Sequence, residues 1–270
     1  MPQTQISRML EVAKEAALTA GDFLRRRFRT DLQISKKGPF DFVTDIDVQS
    51  ERLIVEAIEK RFPNHDILAE ERGESSRSSA FRWIIDPLDG TTNYTHGFPA
   101  FVVSIAWERE GELEGAAVCD PIAGELFHAT RGGGAFLNDK PMAVSSTPDL
   151  GVSLLGTGFS YEPEALRRNI RLFGEFMIRA AGVRRTGAAA RDLAYAACGR
   201  YDGVWELNLR PWDLAAGILL VREAGGQVTD FRGGPVGPHD AQILLSNGKV
   251  HQAMLDVLLN YAAPVAEKPR

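Results

Sequence analysis

Apolar residues recur at helical spacing over residues 6–28, where Leu10, Ala13, Ala17, Ala20, Leu24 and Phe28 share a face that Lys14, Glu15 and Arg25 to Arg27 largely avoid. Such a stripe predicts an amphipathic helix that buries one side. Its arginine run complements the negative end of a helix dipole, so it reads as a solvated helix end more readily than as a nucleic-acid patch. A second stripe, Leu53, Ile54, Ala57, Ile58 and Phe62, predicts a helix starting near Thr44 and stopping at Pro63-Asn64. Between the two lies the turn-rich segment Lys36-Lys37-Gly38-Pro39-Phe40-Asp41. The pattern then changes to short apolar runs at residues 67–69, 83–85, 101–107, 113–119 and 125–129, which read as strands. Gly111 and Asp120-Pro121 suit hairpin turns, and no helical stretch separates the runs, so an antiparallel sheet is expected here. After the Gly132-Gly133-Gly134 loop and a short strand near residues 142–145, helix and strand alternate. Strands are expected at 152–156, 183–185, 203–207, 227–231 and 243–245, and helices at 164–179, 188–198, 211–224 and 250–259.

No internal repeat, low-complexity segment or break in composition marks a linker. The expectation is one α/β (α+β) unit spanning residues 1–270, with an antiparallel-sheet half to about residue 146 and an α/β half from about residue 147. Composition agrees, with 44% hydrophobic and 25% charged residues. The 36 acidic residues exceed the 31 Lys and Arg, and the net charge of −5 offers no global attraction to nucleic acid or anionic lipid. A phosphorylated substrate would need a site that brings its own positive charge. Cys119 and Cys198 form neither a disulfide framework nor a zinc pair, which fits a reduced setting. No apolar run approaches the ~20 residues of a membrane span. A soluble, cytoplasmic protein without membrane partners is therefore expected.

Chemistry concentrates in Asp86-Pro87-Leu88-Asp89-Gly90-Thr91-Thr92, directly after an apolar strand. Pro87 and Gly90 are expected to turn the chain out of the strand and present two carboxylates, the oxygen-rich donors that Mg²⁺ prefers. If a helix starts here, the amides of Gly90, Thr91 and Thr92 would face an anion. Taken alone, the turn reads more readily as an acidic helix cap. Glu70-Glu71 alone reads as a surface pair, and Asp213, in the first turn of a helix opened by Pro211, as a complement to the dipole.

Together these segments resemble the inositol monophosphatase family, including its bacterial members. One family signature matches residues 83–96, with Asp86 through Tyr94 intact, and the other runs from Trp212-Asp213 to Gly225-Gly226. Supporting matches are Asp41 through Asp47, Ala69-Glu70-Glu71, Gly132 through Asn138, and Gly187-Ala188-Ala189-Ala190; the likeness spans roughly residues 8–260. It implies a layered αβαβα sandwich of the inositol monophosphatase and fructose-1,6-bisphosphatase type, working with two or three Mg²⁺ ions. It also implies the ligands: Glu70, Asp86 and the Leu88 carbonyl for one ion, and Asp86, Asp89 and Asp213 for a second.

By the same resemblance Glu70 and Thr91 position the attacking water, Asp47 hydrogen-bonds Thr91, and the Gly90 and Thr91 amides bind phosphate. Lys36 matches a lysine near a weak third metal site, with a solvated turn as the alternative. Asp89, Gly187, Ala188, Ala189 and Glu206 line the substrate pocket, where the Glu206 carboxylate suits polyol hydroxyls. The implied activity is hydrolysis of a small phosphorylated polyol, inositol-1-phosphate first, by a Li⁺-sensitive homodimer. Fructose-1,6-bisphosphate, histidinol phosphate and 3′-phosphoadenosine phosphates are the alternative substrates, because a shared fold does not select the ester. A role of another class, partnering RNA polymerase in transcription and ribosomal RNA maturation, would draw on Arg184-Arg185 with Arg191. That cluster reads more readily as a subunit interface or solvated patch.

Overall fold

The computed structural model describes residues 3–30, 34–36, 42–160, 162–240 and 242–261, with backbone alone at residues 3, 4, 34–36, 42 and 43. Helix α1 (Gln3–Arg27) is followed by the antiparallel pair β1 (Ile34–Lys36) and β2 (Phe42–Thr44), then by α2 (Asp45–Arg61). Thr44 starts α2 with a reciprocal cap: its hydroxyl accepts the Ile46 and Asp47 amides, and the Asp47 carboxylate accepts the Thr44 amide. Next come β3 (Asp66–Ala69), β4 (Gly73–Ser75), β5 (Phe81–Asp89), α3 (Thr91–Thr95), β6 (Val102–Arg109), β7 (Glu112–Asp120), β8 (Glu125–Thr130), β9 (Gly134–Leu137) and β10 (Lys140–Pro141). The strands from β3 to β10 form an eight-stranded sheet in the order β10-β9-β8-β7-β6-β5-β3-β4.

Both faces of this sheet are covered, which is why its central strands are continuously apolar. Trp83, Ile85, Val103, Ile105 and Ala117 meet α1 and α2, whereas Ile84, Val102, Ala106, Ala116 and Val118 face the opposite way. The second part of the chain supplies β11 (Leu154–Thr157), α4 (Pro163–Met177), β12 (Gly182–Arg184), α5 (Ala189–Ala197), β13 (Gly203–Leu207), α6 (Pro211–Glu223), β14 (Gln227–Thr229), β15 (Gln242–Ser246) and α7 (His251–Tyr261). Its five-stranded sheet runs β12-β11-β13-β15-β14, parallel across the first three strands and antiparallel thereafter. Helices α5 and α6 lie between the two sheets in one core, and α4 and α7 cover the far face around Trp205 and Leu244. The layers thus read αβαβα, as the resemblance implies. Residues 214–221 are buried on every side of α6, the pattern of a helix held between two sheets. Among the described residues no helix is long and apolar enough to cross a membrane.

Three local expectations are corrected. The eight-stranded sheet is not wholly antiparallel: β3 and β5 are parallel, in register from Asp66↔Arg82 to Ala69↔Ile85. The cause is β4, which folds back on the outer edge of β3, so that the chain re-enters on the inner edge running in the original direction. Residues 142–145 form no strand; regular pairing ends with β10, and the Val144 amide is taken by the Ala224 carbonyl instead. Pro87 does not turn the chain out of β5, which continues to Asp89 through a bulge.

His251 gives the fold a titratable element. It is 2% exposed, with Nδ1 on Ser246 Oγ at 2.8 Å and Nε2 on Thr229 Oγ1 at 2.9 Å, and burial pushes its pKa down to about 4. The folded imidazole stays neutral where the unfolded one, near 6.5, takes up a proton. Stability from this group is therefore complete above pH 6.5 and is lost as pH falls from there towards about 4. Urea unfolding of His251→Gln is expected to show a shallower acid decline than the native chain over that window. Parallel declines would remove His251 as the source.

Candidate functional site

The site is built where β5 ends. The register between β5 and β6 passes from Asp86↔Ser104 to Asp89↔Val102, so three steps on one strand match two on the other. Pro87 has no amide to give the ladder, and the Leu88 amide turns back to Asp86 Oδ1 at 3.0 Å. Residues three apart on a regular strand point to opposite faces. The extra residue of the bulge cancels that, and Asp86, Leu88 and Asp89 line one cavity of about 170 Å³.

Other elements bring their residues to the same cavity. Parallel pairing sets Ala69 beside Ile85, and the Glu70 amide donates to the Ile85 carbonyl at 3.2 Å, so Glu70 leaves β3 alongside Asp86. Gly90, at φ +95, ends the strand and starts α3. The hydroxyl of Thr91 has Asp47 Oδ1 at 2.9 Å and the Leu88 carbonyl at 3.1 Å as acceptors for its single proton. Pro211 opens α6, and the Asp213 carboxylate accepts the Arg210 amide at 2.7 Å. Ser104, the register partner of Asp86, holds the start of that helix through the Trp212 carbonyl at 3.3 Å.

Helix α5 has no capping side chain of its own at Ala188. The Asp89 carboxylate serves instead, accepting the amides of Ala189 at 3.0 Å and Arg191 at 3.3 Å, which draws Gly187, Ala188 and Ala189 to the cavity. Glu206 enters from β13, 1% exposed, with Oε1 unpartnered. Gly158 makes room for it, since a Cβ there would lie 2.7 Å from Glu206 Oε2.

Burying these acids, and setting them close together, raises their affinity for protons. Burial holds Asp86 well above the usual carboxylate range, reinforced by the charges of Glu70, Asp89 and Asp213. Asp89 and Asp213 are pushed up to about 7, in each case mainly by burial. Glu206 is raised by burial and then by Asp192, Asp213 and Asp89, with Arg185 opposing. Such a set of oxygen donors calls for neutralisation and fits a hard divalent cation such as Mg²⁺. Among the described residues, no three His, Cys, Asp or Glu side chains meet closely enough to hold an ion as they stand. Several of their oxygens are turned to backbone amides: Asp86 to Leu88, Asp89 to Ala189 and Arg191, Asp213 to Arg210.

Of the residues singled out from sequence, Glu70, Asp86, Leu88, Asp89, Gly90, Thr91, Gly187, Ala188, Ala189, Glu206 and Asp213 all line this cavity, and Asp47 reaches it through Thr91. Lys36 ends β1, but its side chain lies outside the described residues, as does the whole of Asp41. Thr92, expected at the anion-facing turn, also lines the cavity, as do Gly158, Phe159, Arg185 and Leu209, which were not assigned to it from sequence. Only Arg185 carried a signal, as part of a basic cluster. That cluster is dispersed: the Arg185 guanidinium stands over the Phe159 ring at 5.8 Å, whereas Arg191 is bound to Asp120 at 2.8 Å.

Comparison with known proteins identifies the family. A profile of the inositol monophosphatase family matches residues 5–262. The chain is 43% identical over 264 residues to the Nus factor SuhB of Pseudomonas aeruginosa, covering 95% of this chain and 97% of the relative. It is also 43% identical over 262 residues to the inositol-1-monophosphatase of Rhizobium meliloti, covering 93% and 96%. Among solved structures, the extragenic suppressor protein suhB from Bartonella henselae superposes with a TM-score of 0.90 at 41% identity, covering 93% of this chain and 98% of that one. The inositol monophosphatase from Anabaena gives 0.85 at 39%, covering 97% and 98%. With a family profile over nearly its whole length and relatives this similar, the chain belongs to the inositol monophosphatase family.

Proposed function

We propose that this hydrolase cleaves a small phosphate monoester, inositol-1-phosphate before others, by direct attack of a water molecule with Mg²⁺ bound at the carboxylate cluster. The observation that carries the reading is the meeting of Glu70, Asp86, Asp89, Asp213 and Glu206 with Thr91 in one cavity. Glu70, Asp86 and the Leu88 carbonyl would hold one ion, and Asp86, Asp89 and Asp213 a second. Bound Mg²⁺ supplies the positive charge that acidifies water and neutralises the phosphate and leaving oxygen. The Thr91 hydroxyl, donating to Asp47, keeps lone pairs free to accept from the attacking water, which Glu70 holds from the other side. The Gly90 and Thr91 amides donate to phosphate oxygens. Glu206, with a buried and unpartnered oxygen, accepts from ring hydroxyls of the departing alcohol.

A panel of esters with Mg²⁺ tests the assignment. Inositol-1-phosphate is expected to give a higher kcat/KM than fructose-1,6-bisphosphate, histidinol phosphate or a 3′-phosphoadenosine phosphate, with Li⁺ inhibiting. Glu206→Ala should reduce that preference by about 10–100-fold, the worth of hydrogen bonds to a charged acceptor. Preference for another ester would overturn the choice of alcohol and leave the hydrolytic site standing.

A further inference from the structure

Helix α2 buries a polar stripe beside its apolar one. Asp47, Ser50 and Glu51 are 1%, 0% and 5% exposed and stand at i, i+3 and i+4, on one helix face. Burying three polar side chains costs free energy unless each is hydrogen-bonded. Each of them is, and each to a different stretch of chain. Asp47 Oδ1 accepts the Thr91 hydroxyl at 2.9 Å. Ser50 Oγ donates to the Pro87 carbonyl at 2.8 Å. The Glu51 carboxylate accepts the amides of Glu71 at 2.7 Å and Arg72 at 3.1 Å. The neighbouring core positions Ile46, Ile54 and Ile58 are the ordinary apolar contacts of a packed helix. The three polar residues have another task.

Ser50 and Glu51 serve backbone groups at irregular points of the sheet. The Pro87 carbonyl sits in the bulge between Asp86 and Leu88, and the Glu71 and Arg72 amides sit in the turn joining β3 to β4. These are the segments from which Asp86, Leu88 and Glu70 enter the cavity. We infer that Ser50 and Glu51 are positioning residues which, with Asp47, make one face of α2 a template for the relative placement of Glu70, Asp86 and Thr91. Glu71 adjoins Glu70 in the chain, so freeing its amide from Glu51 lets the turn rotate and carries the Glu70 carboxylate away from Asp86. Displacements of about 1 Å at such a site cost on the order of 100-fold in rate. The inference rests on the site proposed above, and its test separates the two.

The variants are Glu51→Ala, Glu51→Gln, Ser50→Ala, Glu70→Gln and the double variant Glu51→Ala/Glu70→Gln. The readouts are kcat and KM for inositol-1-phosphate, calorimetric Mg²⁺ titration and thermal melting. Glu51→Ala is expected to weaken Mg²⁺ binding and lower kcat by on the order of 10–100-fold, with KM for the ester changed by less than about threefold. Glu51→Gln should fall between, since its amide keeps one acceptor oxygen but turns an NH₂ towards the other backbone donor. Ser50→Ala should shift Mg²⁺ binding in the same direction by a smaller factor, which keeps the template testable if Glu51→Ala does not fold. Added to Glu70→Gln, Glu51→Ala should cost little more, because both act through one carboxylate. Lower melting temperatures with unchanged Mg²⁺ affinity in the folded protein, or costs that add fully, would overturn the inference and leave the site intact. A silent Glu70→Gln would overturn both.

Discussion

Asp86→Asn is expected to lower Mg²⁺-dependent phosphate release by ~10³-fold or more while making the metal-free protein more stable at neutral pH. The loss follows from position. Asp86 lies beside Glu70 across parallel strands and shares its cavity with Asp89 and Asp213, so its carboxylate would serve both proposed ions. Charge stabilisation by bound metal is worth several kcal/mol, and each ~1.4 kcal/mol is a factor of ten. The gain follows from burial. Asp89 and Asp213 titrate at about 7 in the fold against 3.8 ordinarily, so the folded protein keeps protons that the unfolded chain has already lost.

Stability from these groups is therefore greatest below pH 3.8 and declines as pH rises towards about 7. Asp86 is itself held well above the usual carboxylate range by burial and by the charges of Glu70, Asp89 and Asp213, so a neutral amide in its place removes its own share of that decline. Above about pH 7, metal-free Asp86→Asn should melt higher than the native chain, by roughly 2–4 °C for each kcal/mol relieved. Added Mg²⁺ should raise the melting temperature of the native protein and leave the variant nearly unmoved, because only a state that binds the ion is stabilised by it. Melting experiments in chelator and in excess Mg²⁺ across this pH range decide the point. A variant that melts lower in both would show that Asp86 supports the fold instead of straining it.

Gly90→Ala should destabilise the protein by about 2–5 kcal/mol and reduce kcat. Gly90 holds φ +95, where a side chain costs ~1–2 kcal/mol. An added Cβ would also lie 2.8 Å from the Ala100 carbonyl and 3.3 Å from both Ala188 Cβ and Phe101 Cα. Relieving such overpacking typically costs a further ~1–3 kcal/mol. The strain falls between Asp89 and Thr91, so movement there shifts a carboxylate and a hydroxyl of the site together. Urea unfolding and steady-state kinetics measure the two effects. Stability within ~0.5 kcal/mol of the native protein would mean that the backbone has another conformation available at this turn.

Legibility from sequence varied with the kind of feature. The long helices were readable because periodicity is local: Ala13, Ala17, Ala20 and Leu24 are fully buried as their spacing predicts. The strand-like runs were readable because a sheet covered on both faces needs apolar residues throughout. Ser50 and Glu51 were not readable, because a buried polar residue with an exact hydrogen-bond partner leaves the same mark on a helical wheel as a solvated one. Residues 142–145 misled for a related reason: Met142 and Val144 alternate as a strand would, yet they pack on a core without a partner strand.

The site divides in the same way. Resemblance to family motifs singled out Glu70, Asp86, Asp89, Thr91 and Asp213, which the fold brings to one cavity, whereas the turn expected at Pro87 is a bulge within β5 and Gly90 alone ends the strand. How they meet was settled by pairings distant in the chain. Parallel alignment of β3 with β5 sets Glu70 beside Asp86, a one-residue bulge turns Asp86 and Asp89 to one side, and Asp89 caps α5 from another sheet. Local sequence specifies helix and strand because those choices depend on neighbours within a few positions. Convergence of charges depends on which strand lies next to which and in what register, and here only the folded chain determines that.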